Sequence, residues 1–280
     1  MHAIDTPKIV NALPTRIDAR FRELRKKMAK GLVVYFTAGD PTLDATGELL
    51  TSLDRAGADV IELGVPFSDP VADGPVIQRA SERALRSGTT LRKILERFPT
   101  WRKAVQAPII LFSYYNPVLQ FGLESFADTA AEAGVDGALI VDLTPEEAEN
   151  YCRVMRKRNL DTVFLGSPTS SDQRLKLAAE RSSGFFYLIS RAGVTGERGQ
   201  VGSGAASLVE RARRLTSLPL AMGFGISTAD QVREVQQWAD AAVVGSAVVR
   251  AIEERYSSGG AAAIEECVRA LRMGTGGHPA

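Results

Sequence analysis

Short apolar segments alternate with amphipathic segments along nearly the whole chain. The apolar segments are rich in Val, Ile, Leu and Phe and show no clean alternation with polar residues. This pattern is typical of parallel strands that are buried on both faces. The predicted strands are 32–37, 60–63, 109–113, 138–141, 162–165, 185–189, 220–222 and 242–244.

The segments between these strands have apolar residues at the spacing of an amphipathic helix. Two of them begin with capping signals. Thr144, followed by Pro145 and two glutamates, predicts one helix start, and Ser227 with Thr228 predicts another. The predicted helices are 16–30, 43–56, 76–86, 91–101, 123–133, 145–158, 171–180, 206–215, 228–238 and 260–272.

The order of these elements predicts the fold class. Eight strand–helix units in about 250 residues favour an α/β protein with a closed (β/α)8 barrel, known as a TIM barrel. An extra helix precedes the first strand and another follows the last. An open doubly wound sheet is the alternative, but it usually has fewer units and one dinucleotide-type glycine loop. We expect one domain over 1–280, with an ordered core of about 16–272 and loose ends at 1–13 and 274–280.

Composition and charge narrow the possible partners and compartment. The 280 residues include 34 Lys and Arg against 33 Asp and Glu, so the near-zero net charge gives no reason to expect nucleic acid or an anionic membrane. No apolar run approaches the roughly 20 residues of a membrane span. The first residues lack the order of a secretory signal. Two distant cysteines, Cys152 and Cys267, are interpreted as reduced thiols of a cytoplasmic protein.

The basic residues limit the chemistry that the chain can perform. Its two histidines, His2 and His278, lie at the two ends, which argues against histidine catalysis and histidine-based metal sites. None of its eight lysines falls at a predicted strand end, although a Schiff-base aldolase needs such a lysine. We therefore expect no metal, and any carbon–carbon cleavage here needs a substrate that acts as its own electron sink.

Three carboxylates lie where the second predicted strand ends. The segment ELGVPFSDPVADGP places Glu62 within the strand and Asp69 and Asp73 on a loop braced by prolines. Exposed loop carboxylates are usually only solvated, but a carboxylate inside a barrel strand must point either into the barrel mouth or into apolar surroundings, and burial alone would raise its pKa. Two carboxylates in unlike environments can divide the acid and base roles.

The last two strands end in glycines that predict a phosphate site. Gly223 and Gly225 follow the seventh strand, and Gly245 and Ser246 follow the eighth. Backbone N–H groups and two helix N-termini favour an anion at the place where barrels often bind one. The alternative is that these glycines only form tight turns. Gly196, on the loop after the sixth strand, would add a further backbone donor.

Apolar side chains surround the same predicted end of the barrel. They fill an ordinary barrel interior, or those nearest the strand ends enclose a flat aromatic group. These side chains are Tyr35, Phe112, Leu139, Val141, Leu165 and Tyr187.

Five sequence motifs together resemble the tryptophan synthase alpha subunit family. ELGVPFSDPVADGPVIQ follows GADVI, is preceded by YFTAGDP, and is followed in order by SYYNPV, SRAGVTG and GFGIS. The likeness covers roughly residues 16–272. It implies cleavage of indole-3-glycerol phosphate to indole and D-glyceraldehyde 3-phosphate, with the indole ring as the electron sink.

The resemblance also implies roles for individual residues. Glu62 would be the general acid–base, Asp73 would bind the indole N–H, and Tyr187 would support Glu62 beside the reacting carbons. Thr195 would bond Asp73 when the loop after the sixth strand closes. The indole pocket would be lined by Tyr35, Phe112, Leu139 and Leu165, and the phosphate would lie on Gly196, Gly225, Gly245 and Ser246, with Phe224 beside it.

The resemblance implies a partner as well. Pro66, Asp69, Asn116 and Pro117 would face a tryptophan synthase β subunit in an αββα tetramer. Indole would pass to that subunit for L-tryptophan synthesis, and pyridoxal phosphate would be bound there, with no cofactor in this chain. Two alternatives stay open: a stand-alone lyase that releases free indole, and a non-catalytic regulatory subunit.

Overall fold

The strands form one sheet in which every hydrogen-bonded pair is parallel. The computed structural model describes residues 14–189, 203–223 and 225–275. Nine strands lie within these residues: β1 Gly31–Thr37, β2 Val60–Gly64, β3 Ile109–Ser113, β4 Gly137–Ile140, β5 Asp161–Val163, β6 Leu165–Gly166, β7 Phe186–Ile189, β8 Leu220–Gly223 and β9 Ala241–Val244.

Helices follow most of the strands and cover the outside of the sheet. Within the described residues they are α1 Arg16–Lys26, α2 Leu43–Arg55, α3 Pro75–Arg86, α4 Leu91–Arg102, α5 Tyr115–Phe121, α6 Leu123–Ala133, α7 Glu149–Arg156, α8 Asp172–Arg181, α9 Ser203–Leu215, α10 Ala229–Val235 and α11 Ser246–Arg272, followed by a 3-10 turn at Met273–Thr275. In this described part of the chain, no helix has the length and apolar character needed to cross a bilayer.

The sheet closes through a single residue. β5 and β6 stand at the two ends of the strand order β5-β4-β3-β2-β1-β9-β8-β7-β6, and only Phe164 separates them in the chain. The Phe164 N–H donates to Ser182 Oγ at 3.1 Å, so it is not available to a neighbouring strand. β5 and β6 therefore make one interrupted barrel strand, and the predicted eight-stranded (β/α)8 barrel is confirmed.

Two apolar layers hold the barrel together. One lies between the sheet and the surrounding helices, and the other fills the interior with alternate residues of the strands. α1 closes the end of the barrel where the strands begin, because Ile17, Phe21 and Leu24 pack into the interior layer. The Phe21 ring lies 5.9 Å from the ring of Phe185. We call the opposite end, where the strands finish, the open end, and barrels of this class carry their active sites there.

Two buried carboxylates bind strand starts at the closed end. Asp59 Oδ2 accepts the Leu32 N–H, and Asp136 Oδ2 accepts the Ile109 N–H, both at 2.7 Å. Each residue follows a glycine turn, and Gly134 has the left-handed φ of 88° that this turn needs. Each also pairs with arginines: Arg20 and Arg272 for Asp59, Arg16 and Arg102 for Asp136. We call Asp59 and Asp136 the basal aspartates.

The helix predicted at 145–158 begins four residues late. Thr144 does not cap it, because its hydroxyl bonds the Glu147 carboxylate at 3.2 Å and its carbonyl accepts the Glu147 N–H in a turn. The helix itself begins at Glu149. The capping prediction was wrong because the Thr144 hydroxyl and carbonyl both form hydrogen bonds with Glu147 instead.

Several other element bounds were wrong. The segment at 115–117, predicted as a loop, belongs to α5, and α1 ends at Lys26 because Met28 has a left-handed φ of 52°. The predicted last helix at 260–272 is the second half of α11, which bends at Gly260 (φ 59°). Gly274 and Thr275 are buried rather than loose. Residues 1–13 and 276–280 lie outside the described part.

Candidate active site

Glu62 lies inside the barrel on β2. Val60 and Ile110 belong to the interior layer, and Glu62 is two residues beyond Val60 and opposite Ile110 in the β2–β3 register. Because strand side chains alternate between faces, its carboxyl group points into the interior. Only 1% of the residue is exposed. An acid thus occupies a position that most barrels fill with an apolar side chain.

Burial leaves this carboxyl group without compensation. Within the described part of the chain, Glu62 Oε1 has no hydrogen-bond partner, and no arginine, lysine or histidine lies within ion-pair distance. Desolvation raises the pKa of Glu62 from 4.5 to about 8. At neutral pH the carboxyl group therefore holds a proton that it can give to a substrate and recover.

Asp73 lies on the loop between β2 and α3 and is half-buried. Burial raises its pKa from 3.8 to about 6, and a hydrogen bond from the Tyr114 hydroxyl at 3.1 Å opposes that rise. The site therefore holds two carboxyl groups with different pKa values. At neutral pH Asp73 is mainly ionised and accepts hydrogen bonds, whereas Glu62 is mainly protonated.

Two tyrosine side chains lie next to Glu62, and each packs against a glycine. Tyr35 stands opposite Glu62 in the β1–β2 register, and its ring is 5.2 Å from that of Phe112. A Cβ on Gly64 would lie 2.4 Å from the Tyr35 hydroxyl, and one on Gly223 would lie 2.6 Å from the Tyr187 hydroxyl. Glycine at both positions makes room for the two phenols.

The charges of the two carboxylates affect the pKa values of the same two phenols. Burial, and then the charge of Asp73, raises the pKa of Tyr35. Burial, and then the charge of Glu62, raises the pKa of Tyr187. Both tyrosines stay protonated at neutral pH and serve only as neutral hydrogen-bond groups. The structure thus brings Tyr35 and Tyr187 together with the two acids.

The apolar side chains predicted at this end of the barrel lie near one another. Leu139 lies in the interior layer, and Phe112, Val141 and Leu165 are partly buried against it. Phe112 is opposite Leu139 in the β3–β4 register, and Leu165 is opposite Tyr187 in the β6–β7 register. These side chains surround Glu62 with apolar surface, which is what raises its pKa.

The predicted phosphate-binding residues are only partly described. Gly225 has a left-handed φ of 78° and no neighbouring atom that a Cβ would meet. Gly245 precedes α11, and Ser246 is the first residue of that helix, so free helix N–H groups begin there. Thr195, Gly196 and Phe224 lie outside the described residues. The described half of the predicted site therefore has the backbone form that an anion needs.

The residues expected to face a partner differ in exposure. Asp69 and Asn116 are exposed, Pro117 is half-buried, and Pro66 is buried within this chain. Two apolar side chains lie in the same two segments and face solvent: Val71 is 74% exposed and Leu119 is 53% exposed. An exposed apolar surface beside charged and polar groups is typical of a protein interface.

Sequence reasoning missed Tyr114 as a site residue. It is one of two adjacent tyrosines at the end of β3, and the sequence alone does not tell which phenol reaches the loop of Asp73.

The described residues contain no cluster of three or more His, Cys, Asp or Glu side chains that could hold a metal ion.

Comparisons with known proteins identify the relatives of this chain. Residues 21–275 match the family model described as the tryptophan synthase alpha chain. The tryptophan synthase alpha chain of Solibacter usitatus is 50% identical over 263 residues, which cover 94% of this chain and 98% of that protein. That of Geobacter sulfurreducens is 47% identical over 262 residues, or 94% and 99% of the two chains.

Solved structures agree with the sequence relatives. A tryptophan synthase structure from Mycobacterium tuberculosis has a TM-score of 0.86 and 35% identity, and the match covers 94% of this chain and 99% of that one. The tryptophan synthase subunit alpha of Legionella pneumophila has a TM-score of 0.85 and 36% identity, with 93% and 98% covered.

Proposed function

The chain belongs to the tryptophan synthase alpha chain family, and from that premise we propose how its site performs the alpha reaction. The reaction is the retro-aldol cleavage of indole-3-glycerol phosphate to indole and D-glyceraldehyde 3-phosphate. The chain is a lyase, and we assign it to the aldehyde-lyases. The single observation that carries the assignment is a buried Glu62 whose Oε1 has no hydrogen-bond partner among the described residues, set among apolar side chains and near a second, ionised carboxylate.

Glu62 is the catalytic acid and base. Its protonated carboxyl group gives a proton to C3 of the indole ring, which turns the ring into an iminium ion. The resulting carboxylate takes the proton of the hydroxyl group on the adjacent glycerol carbon. The carbon–carbon bond then breaks, its electron pair restores the indole ring, and the aldehyde leaves. Glu62 ends the cycle protonated, which matches its raised pKa.

Asp73 accepts a hydrogen bond from the indole N–H. The nitrogen becomes positive when C3 is protonated, so an ionised carboxylate stabilises the iminium more than the substrate. The pKa of about 6 keeps Asp73 ionised at neutral pH. At the start of the cycle, Glu62 is therefore protonated and neutral, whereas Asp73 is ionised and negative.

The remaining site residues hold the substrate. Tyr187 lies against the reacting carbons and supports Glu62, since the two side chains share the barrel interior. The backbones of Gly225, Gly245 and Ser246 bind the phosphate. The indole ring lies among Tyr35, Phe112, Leu139 and Leu165. We also assign Thr195 to a bond with Asp73 on loop closure, and Gly196 and Phe224 to the phosphate.

The partner of this chain is the tryptophan synthase β subunit. We propose an αββα tetramer in which Asp69, Asn116 and Pro117 line the contact, supported by the exposure of Asp69 and Asn116. Pro66 was expected to face the partner as well, but it is buried within this chain and is left out of the proposed contact. Pyridoxal phosphate belongs to the β subunit, and this chain uses no cofactor. A single barrel domain in the cytoplasm is proposed, and the free thiols of Cys152 and Cys267 support that compartment.

Indole release tests the proposal. The purified chain is given indole-3-glycerol phosphate with and without a β subunit, and indole is measured at steady state. Slow release that rises strongly with the β subunit is expected. A chain that releases no indole even with the β subunit present would contradict the proposed reaction.

The same measurement decides between the alternatives. A stand-alone lyase would release indole quickly whether or not the β subunit is present. A regulatory subunit would activate its partner but release no indole. Family membership and the complete set of Glu62, Asp73 and Tyr187 favour the catalytic alpha subunit over both.

A further inference from the structure

We propose that Tyr114 is a positioning residue for Asp73. The Tyr114 hydroxyl group holds one oxygen of the Asp73 carboxylate, so that the other oxygen is presented to the substrate. The inference rests on the proposed function of Asp73. It adds a residue that the sequence motifs did not single out for the reaction. It also explains how a carboxylate on a loop acquires a fixed place relative to a glutamate on a strand.

The Tyr114 hydroxyl makes two hydrogen bonds to consecutive residues of one loop. It accepts the Ala72 N–H at 3.0 Å and lies 3.1 Å from Asp73 Oδ2. A phenol has one hydrogen to donate. Since the backbone N–H must be the donor in the first bond, the phenol hydrogen is left for the carboxylate. Oδ2 of Asp73 thereby accepts a fixed hydrogen bond, and Oδ1 is the oxygen that we assign to the indole N–H.

Tyr114 itself is held firmly. It is only 3% exposed, and its ring lies 5.0 Å from the ring of Phe67, on the same loop as Asp73. It is the residue before α5, and the next backbone N–H, that of Tyr115, donates to Asp142 Oδ1 at 2.7 Å. The hydroxyl group therefore sits at a position set by the barrel strand β3 rather than by the loop.

A second contact fixes the backbone of Asp73. Gln78 Nε2, on α3, donates to the Asp73 carbonyl at 2.8 Å and approaches the Pro70 carbonyl at 3.4 Å. The main chain of Asp73 is thus held from α3 and its carboxylate from β3. Gln78 carries no charge, so of the two contacts only the Tyr114 bond acts directly on the carboxylate that receives the indole N–H.

The Tyr114 bond also sets how acidic Asp73 is. The donated bond lowers the pKa of Asp73 against the larger effect of burial. Among the described residues, the other titratable groups near this pair are Tyr35 on β1, which lies close enough to respond to both Asp73 and Glu62, and Asp142 beyond β4. Tyr35 stays neutral at neutral pH and adds no charge near Asp73. Removal of the Tyr114 hydroxyl takes away a hydrogen bond that lowers the pKa of Asp73, and this pKa therefore rises.

Tyr114→Phe tests the inference, because phenylalanine keeps the ring contact with Phe67 and removes only the hydroxyl. Indole release is measured with the β subunit over a range of pH. We expect kcat to fall about tenfold, KM to change less than about threefold, and the acidic limb of the pH profile to move to higher pH. The control is Tyr256→Phe, which removes a phenol–carboxylate bond of 2.9 Å to Glu48, between α11 and α2. It should leave all three quantities unchanged.

A double-mutant cycle with Asp73→Asn separates positioning from a general structural role. If Tyr114 acts through the Asp73 carboxylate, Tyr114→Phe should have little further effect on kcat in the Asp73→Asn background. Equal effects in both backgrounds, or a Tyr114→Phe enzyme with normal kcat and pH profile, would overturn the inference and leave the proposed reaction standing. An unmutated chain that releases no indole would overturn the reaction itself.

Discussion

The two ends of the barrel treat buried carboxylates in opposite ways. At the closed end, the basal aspartates Asp59 and Asp136 each accept a strand N–H and pair with two arginines. At the open end, Glu62 and Asp73 have no arginine within ion-pair distance in the described part of the chain, and Glu62 Oε1 has no partner there. Burial raises the pKa of all four groups.

The difference shows what separates a structural carboxylate from a reactive one. At the basal aspartates, cations and backbone donors favour the charged form and oppose the effect of burial on the pKa. Without them, burial moves the pKa of Glu62 to about 8, into the range where a proton is exchanged readily. The closed end therefore holds carboxylates paired with arginines, whereas the other end holds a buried acid whose Oε1 has no partner among the described residues.

The largest expected effect is the loss of activity in Glu62→Gln. The amide cannot exchange a proton, so kcat should fall by about 10²–10⁴ in steady-state indole release with the β subunit. The matched control is Glu48→Gln, an acid on α2 outside the site, which should leave kcat unchanged. A Glu62→Gln enzyme with full activity would show that the unpaired carboxyl group is not the catalytic one.

The same variant should be more stable at high pH. Because the pKa of Glu62 is raised from 4.5 to about 8 on folding, the folded protein holds a proton that the unfolded chain has lost between these values. The contribution of Glu62 to the free energy of unfolding therefore falls as pH rises from about 4.5 to about 8. Denaturant unfolding at pH 8 should give Glu62→Gln the higher midpoint, and a lower one would contradict the cost assigned to this acid.

Breaking the closed end should cost stability and not chemistry. Asp136→Ala leaves the Ile109 N–H without its acceptor and Arg102, whose side chain is 12% exposed, without its partner. The free energy of unfolding should fall by about 2–4 kcal/mol, with kcat unchanged at a temperature where the protein is folded. Asp128→Ala, which removes an exposed partner of Arg158, should change little. A large loss of kcat in Asp136→Ala would blur the distinction between the two ends.

Crowding the open end should affect both quantities moderately. A Cβ on Gly223 would lie 2.6 Å from the Tyr187 hydroxyl and 2.8 Å from the Val243 Cβ, so Gly223→Ala must displace Tyr187. We expect a loss of about 1–3 kcal/mol in the free energy of unfolding together with a lower kcat. Gly204→Ala is the control, since nothing lies within 4 Å of its Cβ position in α9. If Gly223→Ala and the control give the same free energy of unfolding and the same kcat, Tyr187 does not need a glycine at position 223.

The smallest effect is the shape of the pH profile. kcat/KM should fall below about pH 6, where Asp73 takes up a proton, and above about pH 8, where Glu62 loses one. Asp73→Asn should remove the acidic limb from the residual activity, which separates it from titration of the substrate phosphate. A profile that stays flat from pH 5 to 9 while chemistry limits the rate would contradict both assignments.

Much of the fold was predictable because it depends on local patterns. Continuous apolar runs predicted the strands, and amphipathic spacing predicted the helices between them. The bounds failed where a distant or side-chain contact decided: Ser182 took the Phe164 N–H and interrupted the fifth barrel strand. Thr144 likewise bonded Glu147 instead of capping a helix.

The site was predictable to a similar degree and for a related reason. Glu62 stood out because an acid inside an apolar strand has few places to point, and the motif around Asp73 carried a family likeness. The role of Tyr114 did not stand out, because it depends on a contact between residues 41 positions apart. The unlike surroundings of Glu62 and the basal aspartates were equally hidden.

The order of residues is enough to show that eight apolar strands alternate with helices, that lysine and histidine are missing from the predicted strand ends, and that an acid interrupts the second strand. These are properties of neighbouring residues, and the periodicity of the chain reveals them. The tertiary structure alone decided which carboxylates meet an arginine, since Arg16, Arg102 and Arg272 reach the basal aspartates from distant parts of the chain. Closing the barrel brought these cations to one end and, among the residues that the structure describes, left Glu62 without one. A pKa depends on the charges and water around a group rather than on its neighbours in sequence.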